Sequence, residues 1–213
     1  ITPVANLQPV SLAGTTVKRA SLHNADQIEK LDIRVGDFVF VEKGGEIIPK
    51  ITGVELSKRD LLVQPVHYLE NCPECNIRLV RKEGEAQHYC PNDLGCPPQI
   101  TGRMQHFISR KAMDIDGLGS ETIELLFQEK LVQSPADLYA LNFDQLIQLE
   151  RFAEKSVNNL LSGVVASKQV PFERVLYGIG IRFVGETVAK KLAKHYKSID
   201  NIIAASQEEL VNV

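Results

Sequence analysis

Apolar and polar residues alternate along the first 68 residues, which is the period of β-strands with one buried face. The apolar positions of this pattern are Val10, Leu12, Val17 and those within residues 38–41 and 47–54. Gly44-Gly45 separates the last two runs and predicts a tight hairpin turn, because glycine adopts positive φ at no steric cost. Residues 24–31 predict one short helix with Asn24 as its cap. We therefore predict a small all-β barrel with one helix over residues 1–68.

Residues 98–213 carry apolar residues at helical spacing, interrupted by glycine-bearing turns. Residues 134–149 align without gaps with residues 198–213, so the segment repeats internally. Gly119, Ala153 and Gly185 mark a shorter repeat, since each is followed by apolar residues four and seven positions later. This pattern predicts tandem helical hairpins, each too small to bury its apolar face alone. It also leads us to expect a fourth hairpin turn beyond residue 213, with both chain ends lying inside a longer protein.

All four cysteines fall within residues 69–97, with the spacing Cys72-x2-Cys75-x14-Cys90-x5-Cys96. Two short loops then present two thiolates each to one point, as a tetrahedral zinc ion requires, and four ligands predict a closed, structural site. Two disulfides are an alternative, but nothing in the sequence indicates an oxidising compartment. A redox pair formed by the first two cysteines has even less support than disulfides, because no thioredoxin-like βαβ pattern surrounds them. His88 could replace one thiolate, but we expect it at the surface.

The charge distribution limits how the chain could bind nucleic acid. The net charge is -3, and residues 112–213 hold fourteen Asp or Glu against ten Lys or Arg. A polycation that grips DNA by bulk electrostatics is therefore excluded, and binding would need backbone amides and a few placed cations. No apolar run approaches the roughly 18 to 20 residues that span a bilayer, and the first residues lack a basic stretch followed by an apolar core. We expect a cytoplasmic protein with no membrane partner.

Two turns of the helical region predict phosphate binding. Residues 116–119 and 178–185 are glycine-rich and precede helices, so they expose backbone N–H groups at the positive end of the helix dipole. Arg110, Lys111 and Arg182 lie nearby as candidate cations. For a single isolated turn, a tight helix–helix connection explains the glycines better than phosphate binding does, and it is the repetition that favours phosphate binding. The middle copy replaces both glycines with Arg151 and Ala153, so we expect a packing copy or a weaker phosphate site there.

Several short motifs, in this order along the chain, resemble bacterial NAD-dependent DNA ligases over its whole length. They are TPVA at 2–5, ASLHN at 20–24, VGD at 35–37, GEIIP at 45–49, the cysteine spacing, MDIDGLG at 113–119 and GIGIR at 178–182. The resemblance implies a multidomain fold: a small all-β OB barrel (1–68), a four-cysteine zinc finger (69–97) and an all-α tandem helix-hairpin-helix domain (98–213), truncated before its fourth hairpin.

The resemblance further implies an enzyme that seals single-strand nicks in duplex DNA. A lysine takes AMP from NAD and passes it to a 5′-phosphate, the 3′-hydroxyl displaces it, and magnesium assists. That lysine lies in a Lys-x-Asp-Gly motif of an upstream adenylation domain, and no such motif occurs in these 213 residues. We therefore expect this chain to hold structural zinc and to bind nicked duplex DNA as a monomer without ligating it. NAD and magnesium would bind mainly elsewhere.

By position, Lys43, Ile47 and Ile48 match the family's DNA-contacting hairpin, and the turn glycines match its phosphate-binding turns. The expected DNA contacts are Lys18, Arg19, Lys43, Ile47, Ile48, Arg110, Lys111, Gly117, Leu118, Gly119, Arg182, Val184 and Gly185. Two other interpretations stay open: a non-enzymatic DNA-repair module built from the same parts, and a redox site combined with a protein-interaction surface.

Overall fold

The computed structural model describes residues 1–43, 48–60 and 62–213. The chain divides into two compact units, Ile1–Cys96 and Pro97–Val213. The predicted turn at Gly44-Gly45 and the predicted DNA contact Ile47 lie outside the described residues.

The first unit contains a four-stranded sheet in the order β1-β2-β4-β3. Its strands are β1 (Val4–Leu12), β2 (Thr15–Ser21), β3 (Val39–Glu42) and β4 (Lys50–Val54). The pairs β1–β2 and β3–β4 are antiparallel, and β2 meets β4 in parallel. The predicted run at 47–54 becomes a strand only from Lys50 among the described residues, since Pro49 cannot donate a ladder hydrogen bond. The predicted strand-rich first domain is confirmed.

Helix α1 (Ala25–Leu31) follows β2, as the sequence predicts. The Asn24 side chain caps it by accepting a hydrogen bond from the Gln27 amide at 3.0 Å. Ile28 faces inward and joins the small apolar core under the sheet. The buried members of that core are Ala20, Leu22, Ile28, Ile33 and Ile51. A β1–β2 hairpin, a helix and a β3–β4 hairpin thus share one modest core.

A polar cluster fastens the segment after β4 to the loop before β3. Asp37, whose side chain is 1% exposed, accepts two hydrogen bonds from Arg59, each at 2.8 Å. The Arg34 amide adds a third at 2.7 Å, and Arg59 also binds the Asp32 carboxylate at 2.6 Å. The Arg59 guanidinium, with help from the Arg34 amide, holds the pKa of Asp37 below its usual value. The cluster therefore stabilises this unit while its carboxylates are ionised.

The second unit is helical throughout its length. Its helices are α2 (Pro97–Ile108), α3 (Ser120–Gln128), α4 (Phe143–Leu146), α5 (Glu154–Ser167), α6 (Phe172–Gly178), α7 (Glu186–Tyr196), α8 (Ile199–Ala204) and α9 (Gln207–Val211), with a short 3-10 helix at Pro135–Ala140. One continuous apolar core joins α2, α3, the 3-10 helix, α4 and α5. Its fully buried residues include Met104, Ile123, Leu126, Leu138, Leu146 and Leu160. None of the helices in the described part of the chain is long and apolar enough to cross a membrane.

The long internal repeat reappears as repeated helix caps. Ser134 begins the 3-10 helix, and its counterpart 64 residues later, Ser198, caps α8. Asn142 caps α4, and its counterpart Ser206 caps α9. The caps at Asn142 and Ser206 are reciprocal capping boxes that satisfy two backbone donors each, while at Ser134 the Asp137 carboxylate accepts from the Ser134 amide and hydroxyl. The repeat is therefore encoded in the capping residues as well as in the apolar positions.

Candidate zinc centre and nucleic-acid interface

The four cysteines form one cluster in the first unit. Their sulfur atoms all lie within 4.8 Å of one another, with 3.4 Å between Cys75 and Cys90 and 3.9 Å between Cys72 and Cys96. A tetrahedron of zinc–sulfur bonds of about 2.3 Å has edges of about 3.8 Å, so the spacing fits zinc. All four cysteines are unbridged, and these separations far exceed the length of about 2.05 Å of a disulfide bond. The arrangement favours one four-thiolate metal site over two disulfides.

Backbone hydrogen bonds shape the loops that present the sulfurs. In the first loop the Cys72 amide donates to the Ile77 carbonyl at 2.8 Å, and the Asn76 amide returns to the Cys72 carbonyl at 2.9 Å. Asn76 accommodates the positive φ of 56° that this tight loop requires. In the second loop the Cys96 amide donates to the Asn92 carbonyl at 3.0 Å. The short spacings in the sequence are therefore converted into two rigid loops.

The four thiols do not share one electrostatic environment. The Ile77 amide, which donates to the sulfur, lowers the pKa of Cys75 to about 6. Burial raises the pKa of Cys90 to about 12, although the Asn92 amide opposes this shift. A divalent cation would hold all four sulfurs as thiolates, and amide donation to sulfur would steady that charge.

His88 does not join the metal cluster among the described residues. We expected it at the surface; the residue is half-buried, and its ring centroid lies 4.7 Å from that of Tyr68. The Tyr68 hydroxyl in turn donates to the Ile1 carbonyl at 2.7 Å. His88 therefore packs against Tyr68 at the edge of the cysteine segment.

Three turns in the second unit share one backbone conformation, although their sequences differ. We call them the first turn (115–119), the second turn (149–153) and the third turn (181–185). In each, the fourth residue donates its amide to the carbonyl of the first, at 3.4, 3.3 and 2.9 Å. The third residue has positive φ in every case: 80° at Gly117, 70° at Arg151 and 69° at Phe183. A turn with this φ at its third position normally selects glycine, so two of the three copies keep the shape without the favoured residue.

Each turn is followed directly by a helix, and the three helices begin in the same way. Gly119, Ala153 and Gly185 are the N-caps of α3, α5 and α7, and each carbonyl accepts the first helical hydrogen bond from the apolar residue four positions later. In the second turn, however, the Ala153 amide donates to the Ser156 hydroxyl at 2.9 Å. No side chain caps α3 or α7 within the described residues. Among the described residues, the amides in the first helical turn of α3, α5 and α7 therefore all lack a side-chain cap, and the second copy differs in that Ser156 engages its N-cap amide.

Packing explains Gly117 but not the two N-cap glycines. A Cβ on Gly117 would lie 3.1 Å from the Leu160 backbone in α5, and a Cβ on Gly163 of α5 would lie 2.3 Å from the Asp116 carbonyl. The first turn and α5 thus touch backbone to backbone. A Cβ on Gly119 or Gly185 would meet nothing within 4 Å, and neither residue has positive φ. Their small size leaves room for an external group to approach the amides.

Leu118 and Val184, which were also predicted to contact DNA, are less exposed than the glycines of the turns. Both are half-buried, and their amides close the first and third turns. Their backbone donors are therefore engaged within the protein. The donors that face outward belong to the helix starts that follow.

Two of the predicted cations lie at the third turn: Arg182 belongs to it, and Lys111 lies beside the residue that follows it. Although Lys111 precedes the first turn in sequence, its Nζ lies 3.2 Å from the Glu186 carboxylate, at the first residue of α7. Arg182 is exposed, and its guanidinium lies 4.8 Å from the centre of the Phe183 ring. Arg110 is also exposed, and its carbonyl accepts a hydrogen bond from Arg174 of α6. The packing of α2 against α6 brings these groups together.

Of the predicted contacts in the described part of the first unit, Lys18, Arg19 and Ile48 are exposed and Lys43 is half-buried. Lys18 and Arg19 are exposed on β2, with the Arg19 Nε 3.3 Å from the Asn6 side chain. The Lys43 Nζ lies 2.9 Å from the Thr15 hydroxyl, beside the β1–β2 turn, and Ile48 is 65% exposed. Lys43 and β2 therefore lie close together on one face of the unit, as a nucleic-acid platform would need.

Sequence reasoning missed two features of the third hairpin. Lys190, Lys191 and Lys194 are all exposed on α7, which gives one helix a basic face inside an acidic region. Phe183 occupies the positive-φ position and is 84% exposed. Counting charge per helix, and extending the alignment of the three N-caps back by two residues, would have found both.

The chain thus combines a strand-rich unit that holds a four-cysteine centre with a unit of tandem helical hairpins. Residues 1–61 match the NAD-dependent DNA ligase OB-fold domain, residues 71–97 the NAD-dependent DNA ligase C4 zinc finger domain, and residues 174–213 the helix-hairpin-helix motif. Over these ranges the chain is therefore similar to the OB-fold and C4 zinc finger domains of NAD-dependent DNA ligases. The resemblance in its motifs and the predicted structural zinc are both confirmed.

Curated relatives are similar over the whole chain. It is 67% identical over 213 residues to a DNA ligase of Christiangramia forsetii and 67% identical to one of Flavobacterium psychrophilum. It is 53% identical over 213 residues to a DNA ligase of Porphyromonas gingivalis. These matches cover 100% of this chain and 32% of each relative, so the chain spans about a third of their length.

Proposed function

We propose that this chain is the DNA-gripping portion of an NAD-dependent DNA ligase, part of a longer protein that seals single-strand nicks during replication and repair. The ligase name carried by its relatives supports this proposal. The observation that carries it is the pair of N-cap glycines, Gly119 and Gly185. Neither φ nor internal packing requires glycine at either position, yet both stand where helix amides point outward.

The grip we propose is neutral to base sequence. Amides at the starts of α3 and α7 bind phosphate oxygens, where the helix dipole favours an anion. Lys111 and Arg182 add charge beside the third turn, and the lysine face of α7 attracts the backbone from further away. Phosphate contacts fix position on a duplex without reading bases. An enzyme that seals nicks in any sequence needs a grip of this kind.

In this proposal the catalytic lysine, NAD and magnesium belong to parts of the ligase outside these 213 residues. The chain itself orients the duplex, and zinc holds the fold of the cysteine segment without taking part in chemistry, because four sulfur ligands leave no open position. We further propose that the protein is cytoplasmic and that the chain binds one nicked duplex as a monomer. A non-enzymatic repair module would share the grip but would lack an adenylation domain in its full sequence.

The test is a double variant, Gly119→Ala with Gly185→Ala, titrated against a fluorescent nicked duplex. Two methyl groups over the helix starts should weaken binding about tenfold or more, since each blocks a charge-assisted hydrogen bond. Gly102→Ala is the matched control, because Gly102 lies in α2 with open space around its Cβ. Unchanged affinity in the double variant would overturn the amide grip. Formation of an AMP adduct by the isolated chain with NAD would overturn the assignment of catalysis elsewhere.

A further inference from the structure

Phe183 stands in a conformation that its residue type disfavours. Its φ is 69°, and it is the only large apolar residue with positive φ among the described residues. The equivalent position in the first turn is Gly117, which adopts the same conformation without steric cost. A bulky residue at positive φ is a true outlier that points to a local role.

Packing inside the protein does not explain the ring. Phe183 is 84% exposed, so it covers almost none of the core. The turn does not need it either, since Gly117 and Arg151 support the same hydrogen bond and the same φ. The side chain therefore projects from a turn that would form more easily with glycine.

Exposed apolar side chains precede Phe183 in the chain, and a cation lies over its ring. Ile179 and Ile181 are both about half exposed, at 45% and 46%, and lead up to the turn. Arg182 lies over the ring at 4.8 Å, and Gly185, two residues on, begins α7. A ligand held here would thus meet a hydrogen-bonding anion site and an aromatic surface side by side.

We propose that Phe183 is a DNA-contacting residue whose ring lies against the sugar and base edges of the groove next to the phosphate held at Gly185. Deoxyribose and base edges are the apolar surfaces that adjoin a backbone phosphate, and aromatic side chains pack against them without demanding one sequence. Arg182 matches the charge of that partner, while Lys111 balances the Glu186 carboxylate at the start of α7. This inference rests on the proposed function and assigns the aromatic contact to the third turn alone.

The deciding variant is Phe183→Gly in the whole chain, with Phe183→Tyr to restore an aromatic ring. Glycine relieves the backbone conformation, so the thermal midpoint should stay equal or rise by a few degrees. Affinity for a nicked duplex should fall about tenfold, the loss typical of one aromatic–base contact. Its salt dependence should not change, because no phosphate contact is removed. Tyrosine should keep the wild-type affinity within about threefold.

The control is Ile203→Ala, which trims an equally prominent apolar side chain on α8 and should leave binding unchanged. Wild-type affinity in Phe183→Gly, together with weakened binding in the Gly119 and Gly185 double variant, would overturn this inference and keep the amide grip. A change in self-association without a change in DNA affinity would assign the ring to a protein surface and also overturn it. Absence of duplex binding by the wild-type chain would overturn both proposals.

Discussion

The two units of this chain are stabilised in different ways. The unit of residues 97–213 contains a continuous core of fifteen buried apolar residues between Ile100 and Val164, whereas the sheet of residues 1–96 covers a core of five. The first unit compensates with discrete polar links: the cysteine cluster, the Asp37–Arg59 pair and the bidentate Arg81–Asp26 pair at 2.6 Å. A unit with a small core and few strong polar interactions should unfold when one of those interactions is removed. A continuous core should respond instead to changes of volume.

Removal of zinc should give the largest effect and should separate the two units most clearly. Cys96→Ser takes away a buried ligand, and structural zinc contributes on the order of 10 kcal/mol to folding in small zinc domains. We expect zinc content near zero and loss of hydrogen-exchange protection across residues 71–96. Residues 120–196 serve as the internal control and should keep their protection. Equal protection in zinc-free and zinc-loaded protein would contradict a structural role for the metal.

Asp37→Asn should come next, because it leaves the Arg59 guanidinium, 11% exposed, without its main partner. Breaking a buried pair in this way costs about 3–5 kcal/mol. Folding lowers the pKa of Asp37, so its contribution is complete above the unfolded value of about 4 and is lost as the pH falls through the lowered folded value. The wild-type unit should therefore lose stability in acid more steeply than the variant does.

Urea denaturation between about pH 2.5 and 7 measures this difference, and Glu29→Gln on the exposed face of α1 is the control. Asp32→Asn offers an internal comparison, since that carboxylate is 52% exposed and should matter less. Parallel pH profiles for wild type and Asp37→Asn would show that the pair is not a stabilising link.

Gly163→Ala should give a smaller loss, confined to the second unit. The added methyl group would lie 2.3 Å from the Asp116 carbonyl, so α5 must move away from the first turn. Overpacking of this kind costs about 1–3 kcal/mol. Gly102→Ala, in the open on α2, should instead stabilise by about 0.5–1 kcal/mol, because alanine favours helix. Equal stability of the two variants would mean that the contact of the first turn with α5 is loose.

The sequence predicted the features that depend on local pattern. Cysteine spacing predicted the metal cluster, the cap at Asn24 predicted α1, and the N-caps Gly119, Ala153 and Gly185 predicted the hairpin period. Each of these is fixed within a few residues along the chain, where hydrogen bonding and steric preferences act directly.

Features set by tertiary contact were not predictable. Lys111 precedes the first turn yet reaches Glu186 at the third, because α2 packs on α6. The sequence explained Gly117 by phosphate binding or by a tight connection, but its close partner is the Leu160 backbone, 43 residues away. His88 was expected at the surface and is half-buried, since Tyr68 covers its ring. Pairings of this kind depend on how helices and loops meet, which residue spacing does not contain.

The most direct test of the proposed DNA grip is the affinity of this chain for nicked and intact duplexes across a salt series, with zinc content measured on the same sample. We predict one zinc per chain, binding that ignores base sequence, and a shallow salt dependence with a logarithmic slope of about -2 to -4, since amides replace most of the cations. Absence of binding at low salt would contradict the proposed grip. A steep slope that Lys190, Lys191 and Lys194 alone account for would contradict the role of the glycine turns.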